Sequence, residues 1–190
     1  MSQRKTEKIK SDVCYTAKSD TKMRKMEAAV SLPAVPEPRR RVPLVRTRLV
    51  REKNLFFECR NWAKPRIVAK MMEPFFADLD KECFYVVCLS SKSEPLAIEM
   101  VYQGTANACL INHGEVYKCA LLSGATCIVT LHNHPSGNPT PSKEDRWMVK
   151  AQREAGELLG IQLVDHIIIG SEGKYFSFRE QNLLWEHLGD

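Results

Sequence analysis

Apolar positions change period along this chain, and each change marks an element. Short apolar or alternating runs predict strands over 84–89, 96–102, 126–132, 162–169 and 174–178. Between them, spacings of three and four predict helices over 114–122 and 143–159. The second carries Trp147, Met148, Ala151, Ala155, Leu158 and Leu159 as its apolar face and stops at Gly160. Ahead of the first strand, Lys64-Pro65-Arg66 opens a helix with Ile67, Val68, Met71, Met72 and Phe75 spaced for core packing and Pro74 near its end. The tail, Gln181 to Leu188, predicts a short helix. Strands interleaved with crossing helices give an α/β domain, a mixed β-sheet flanked by helices. No internal repeat is visible.

The pattern fails before Leu44. Residues 1–42 hold Arg39-Arg40-Arg41, Pro33, Pro36 and Pro38 and no sustained apolar period, so they read as a basic, disordered arm. Residues 43–62 read as a connecting segment and 63–190 as the domain. Charge follows the same division: residues 1–53 carry a net of +9 within a chain total of +5, which leaves −4 for the rest. An arm of this kind can contact nucleic acid non-specifically through phosphate charge. The domain has material for a core, since 44% of the chain is hydrophobic. No apolar run approaches the roughly 18 residues of a membrane span, and no apolar stretch follows the amino terminus, so a cytoplasmic protein is expected, with no membrane partner. Cys83, Cys88, Cys109, Cys119 and Cys127 stand in apolar surroundings and read as small buried hydrophobes; Cys14 and Cys59 have no assignment. The absence of any Cys-x-x-Cys pair excludes a zinc ribbon, a redox dithiol and the zinc deaminase signature.

The densest chemistry lies in His132-Asn-His-Pro-Ser-Gly-Asn-Pro-Thr-Pro-Ser142, with Asp145 three residues on. His132 and His134 stand two apart at a strand end, so both imidazoles leave one face. Pro135 and Gly137 end the strand, and Ser142 and Asp145 share the first turn of the next helix. Two imidazoles and a carboxylate make three ligands, and a water completes a tetrahedral zinc of the catalytic, open kind. The same residues admit a plainer reading, because Ser142-x-x-Asp145 is also a helix N-cap with an acidic first turn. His113 reads as a capping or packing residue. His166, inside an apolar strand, reads as a hydrogen-bonded buried imidazole rather than a fourth ligand, and Tyr175 as strand core.

The run from His132 to Asp145, His-x-His, seven residues, Ser, two residues, Asp, resembles the JAMM (MPN-plus) metalloproteases, and its His-Asn-His-Pro-Ser-Gly core resembles their RadC-like branch. Phe84 to Leu89, Gln103-Gly-Thr105, Ile111 to Leu122 and Leu159 to Gly170 fit the same resemblance. It implies a JAMM/MPN, cytidine-deaminase-like fold and a zinc-dependent hydrolase of peptide or isopeptide bonds acting on a polypeptide. Carried over by position, it implies His132, His134 and Asp145 as Zn2+ ligands and Ser142 as the group that steadies the oxyanion. It also implies an upstream glutamate as general base, for which Glu82 is the first choice and Glu99 and Glu115 the reserves. Longer members carry a helix-hairpin-helix region, and the arm lacks the apolar helical pattern and glycine-bearing hairpins of one. The chain therefore resembles a short form.

Two functions stay open. One is the zinc metallopeptidase. The other is a metal-bearing, DNA-associated interaction module of the RadC type without hydrolytic activity, working through the arm. A nuclease of the HNH type spreads its residues over a longer ββα unit, whereas here the letters are contiguous.

Overall fold

The computed structural model describes residues 43–57, 61–77, 79–104 and 111–185. The basic arm with Cys14, together with Cys59, Thr105, Cys109 and residues 186–190 of the tail, lies outside the described residues. Two units are distinguished, 1–46 and 47–190. Of the first only Pro43 to Arg46 are described, in an exposed, irregular course. All elements below belong to the second.

Helix α1 (Pro65–Phe76) starts where Pro65 presets the backbone and forces Lys64 into an extended conformation. It buries Val68, Ala69, Met72 and Phe76 and runs through Pro74 before ending at Ala77; the proline falls in the last turn, so the i→i−4 bond it removes is lost only where the helix is about to end. Strands β1 (Glu82–Leu89) and β2 (Pro95–Gly104) form an antiparallel pair. Helix α2 (His113–Ser123) follows, capped at its start by the Asn112 side chain, which accepts from Gly114 N–H. His113 is thus not the cap: it is the first helical residue, and its Nδ1 is buried with no hydrogen-bond partner among the described residues. Strand β3 (Cys127–Asn133), helix α3 (Lys143–Leu159), strand β4 (Gln162–Ile169) and strand β5 (Tyr175–Ser177) complete the order. These boundaries lie within two residues of those expected from the pattern.

The five strands form one mixed sheet in the order β2-β1-β3-β4-β5. Only β3 and β4 are parallel, and α3 is the crossover between them. Strands β1 and β3 are paired on both edges and covered on both faces, which is why their sequences are apolar almost throughout. On one face Phe84, Val86, Ile128 and Ile168 pack under α2 and α3 with Tyr117 and Val149. On the other, Val87, Leu131, Ile167 and Trp62 pack under α1. The described cysteines are free, with Cys83, Cys88 and Cys119 buried as small hydrophobes.

Two expectations fail. The buried stripe of α3 is Asp145, Val149, Gln152 and Gly156, whereas Trp147, Leu158 and Leu159 face solvent and Met148 and Ala155 are only partly covered. The helix is turned by close approach: a Cβ on Gly156 would stand 2.4 Å from the Tyr117 hydroxyl, so only glycine lets α3 settle against α2. The tail between Gln181 and Trp185 is a set of turns instead of a helix. Asn182 adopts a left-handed φ of 59°, and the turn drives Leu184 into the core.

The loop after β3 is pinned to the β4–β5 turn. Gly137, at φ 77°, donates its N–H to the His134 carbonyl and accepts from Ser171 N–H at 3.0 Å. Gly170 lies so close that an added Cβ would sit 2.6 Å from the Gly137 carbonyl oxygen. Gly170→Ala should therefore push the two turns apart and destabilise the domain by about 1–3 kcal/mol. A urea midpoint equal to the parent's would show that this contact is slack.

Candidate metal centre

His132 sits in the interior of the sheet, cross-strand from Phe84 on β1 and Ile168 on β4, and is 1% exposed. His134 lies one residue past the ladder, its N–H still bonded to the Ile169 carbonyl at 3.1 Å, so the two imidazoles share a face as the spacing predicts. Asp145 approaches from the first turn of α3. Its place is set by a capping box: Ser142 Oγ accepts from Asp145 N–H at 3.1 Å, and Asp145 Oδ2 accepts from Ser142 N–H at 2.7 Å and from the Ser142 hydroxyl at 2.6 Å. Capping and site placement are therefore one arrangement, not alternatives.

The three side chains converge. His132 Nε2 lies 3.0 Å from His134 Nε2 and 3.2 Å from Asp145 Oδ1, and His134 Nε2 lies 3.5 Å from Asp145 Oδ2. Ligands about 2.0–2.1 Å from a tetrahedral ion stand about 3.3 Å from one another, so these separations suit one small divalent cation. His134 Nδ1 is 2.8 Å from the Asn138 carbonyl, which can only accept. That nitrogen therefore carries a proton, and Nε2 offers its lone pair to the site. A cluster of ring nitrogens and carboxylate oxygens at such distances needs positive charge at its centre. His132, His134 and Asp145 could bind a metal ion.

The same surroundings favour a proton on His134. The Asp145 hydrogen bond, with the Asn138 carbonyl, raises the His134 pKa above its ordinary value against the opposing effect of burial. Burial pushes the Asp145 pKa up, but His132, His134 and Ser142 outweigh it and hold the carboxyl below the usual range. His166 is fully buried, and burial with the neighbouring His132 keeps its imidazole neutral.

Of the three glutamates, the structure brings Glu82 to the histidines: its Oε1 is 3.7 Å from His132 Nε2 and its side chain is 14% exposed. Glu99 lies on β2 opposite Val86, beside Cys119, with a buried Oε2 that has no hydrogen-bond partner among the described residues. Glu115 is exposed on α2 and paired with Lys118. The pattern did not single out Asn133. Its side chain faces away from the imidazoles, accepts from Cys83 N–H at 2.8 Å and donates to the Lys81 carbonyl at 3.1 Å, clamping the backbone on both sides of Glu82. A polar residue between two histidines on a buried strand was the available signal.

Fold and site together define a JAB/MPN-type domain. The chain belongs to the RadC-like JAB domain family, whose model matches residues 62–183. It is 42% identical over 120 residues to a UPF0758 protein of Symbiobacterium thermophilum, covering 63% of this chain and 51% of that protein. It is 39% identical over 125 residues to one of Methanosarcina barkeri (66% and 54%) and 45% identical over 117 residues to one of Staphylococcus haemolyticus (62% and 51%). The chain thus spans about half the length of the curated relatives it matches. No helix among the described residues is long and apolar enough to cross a membrane.

The raised pKa of His134 fixes a sign. In metal-free protein its attraction to Asp145 contributes stability that is complete below the ordinary histidine pKa and is lost as pH rises through the raised value. Asp145→Asn should lower that pKa in an NMR titration of the metal-free protein, and an unmoved titration removes Asp145 as its cause. Metal uptake by the parent should strengthen as pH rises through the same value, because the ion and the proton compete for Nε2.

Proposed function

We propose that the domain is a zinc-dependent hydrolase of peptide or isopeptide bonds, with His132, His134 and Asp145 as the ligands. The observation that carries this reading is the meeting of three ligand groups with a fourth, acidic side chain, Glu82, at 3.7 Å from the deepest of them. Three protein ligands leave a position open for solvent. A zinc ion held there supplies Lewis acidity and lowers the pKa of water from about 15.7 to about 7.

The remaining chemistry belongs to the chain. Glu82 takes a proton from the attacking water and returns it to the departing amide nitrogen, a role that contributes roughly two to four orders of magnitude in rate. The Asn133 clamp holds its backbone steady. The Ser142 hydroxyl, which donates to Asp145 in this structure, has one proton to redirect to the oxyanion of the attacked carbonyl. The arm, with its excess of arginine and lysine, supports a second reading in which the domain is brought to nucleic acid through phosphate contacts.

Purified protein should hold about one zinc per chain by elemental analysis, and His132→Ala or Asp145→Ala should remove it; metal retained in both variants defeats the ligand assignment. Glu82→Gln should keep the metal and lose hydrolysis of a peptide-library substrate by about 10²–10⁴-fold. An unaffected rate would take the proton-transfer role from Glu82. Deleting residues 1–42 should abolish salt-sensitive DNA binding, and binding that survives cannot belong to the arm.

A further inference from the structure

Behind His132 runs a line of buried polar groups, Thr130, His166 and Gln152, that the proposed chemistry does not use. His132 Nδ1 lies 2.9 Å from His166 Nε2, His166 Nδ1 lies 2.8 Å from Thr130 Oγ1, and Thr130 Oγ1 lies 3.0 Å from Gln152 Oε1. His132, Thr130, His166 and Gln152 are each no more than 1% exposed. Solvent therefore does not choose where their protons sit.

The far end of the line does. The Gln152 amide oxygen can only accept, so the Thr130 hydroxyl must spend its one proton there. Thr130 is then left with lone pairs toward His166, whose Nδ1 must carry a proton to bond it. A neutral His166 protonated on Nδ1 has a bare Nε2, which accepts from His132 Nδ1–H. His132, protonated on Nδ1, turns the lone pair of Nε2 toward His134 and Asp145. Every donor points away from the site. The reverse order would start from an amide N–H on Thr130 and end with a proton on His132 Nε2, in the space where an ion would sit. For His134 one backbone carbonyl settles the matter; for His132 the partner is another imidazole, which can donate or accept, and the choice is referred two groups further on.

We propose that Gln152 and Thr130, acting through His166, set the tautomer of His132 that can ligate a metal. They are positioning residues, and the assignment rests on the reading of His132, His134 and Asp145 as a metal site. The helix that delivers Asp145 to the ion also delivers Gln152, seven residues on and on the same stripe, to the end of the line. Gln152 is itself steadied by the Tyr117 hydroxyl, which donates to its backbone carbonyl at 2.8 Å. Among the described residues its Oε1 contact is the one side-chain hydrogen bond orienting the amide, since Nε2 is buried and has no partner among them.

The test reads histidine tautomers directly, from long-range proton–nitrogen NMR spectra of full-length protein at pH 8, before and after zinc addition. In the parent, His166 should show a protonated Nδ1 and an unprotonated Nε2 in both states. Thr130→Val removes the acceptor at almost constant shape. His166 should then move its proton to Nε2 in the metal-free protein, and zinc affinity should fall about 10–100-fold. Thr130→Ser restores a hydroxyl and should restore both parental values. If Thr130→Val does not fold, the parent and Thr130→Ser spectra decide. His166 protonated on Nε2 in the parent, or a Thr130→Val protein with parental tautomer and zinc affinity, overturns the proposal. Parent protein that takes up no zinc overturns the metal centre, whereas zinc uptake with the wrong His166 tautomer overturns only the proton assignment.

Discussion

The site depends on β3 being locked between β1 and β4 in one register. Side chains alternate along a strand, so a slip of one residue would turn His132 and Thr130 to the α1 face and bring Leu131 under α3. Pairing of Phe84 with His132, and of His132 with Ile168, prevents that. A bulge between Ile128 and Val129 adds a second decision. It lets Thr130 pair with His166, where an unbroken ladder from Ile128 and Leu163 would set Thr130 opposite Asp165. With the bulge, the imidazole lies beneath the group that could hold a metal ion. Asp165 instead faces the other way, bonded to the Ser177 hydroxyl at 2.6 Å and to Arg179 N–H at 2.9 Å.

Helix α3 shows how one set of bonds can carry two functions. A capping box satisfies amide groups left free at a helix start, and an acidic residue there is favoured by the helix dipole. Here the acidic residue's oxygens also reach both imidazoles. Local helix chemistry thus fixes the carboxylate's position before any ion is bound. The arrangement also explains why α3 is amphipathic in an unusual way, with an aspartate and a glutamine on its buried stripe and a tryptophan in solvent. Reading its apolar residues as the inner face mistook exposed positions for core, because the polar groups that pair inside the protein outweighed hydrophobicity as the determinant of its orientation.

Much of the fold was legible before any coordinates. Apolar runs marked the five strands, and Ser142 and Gly160 marked the ends of α3. The convergence of the candidate triad was legible too, because a period of two and a helix turn are local rules that place His132, His134 and Asp145 without knowledge of the sheet. The tail escaped this reading, since a left-handed Asn182 and the burial of Leu184 depend on what lies beneath it. Glu82 was one choice among three glutamates that nothing in their neighbours separates, and only the pairing of β1 with β3 brings it beside His132.

The order of residues by itself determined the elements, the loop that ends β3 and the three side chains able to meet around an ion, because these follow from short-range periodicity and turn chemistry. Tertiary structure alone decided which glutamate joins them, that Asn133 clamps the start of β1, and that a threonine, a histidine and a glutamine from three elements stand in line behind His132. Those contacts span 22 to 52 residues. At that separation no local spacing rule applies, and strand register, a bulge and the rotation of one helix determine what touches what.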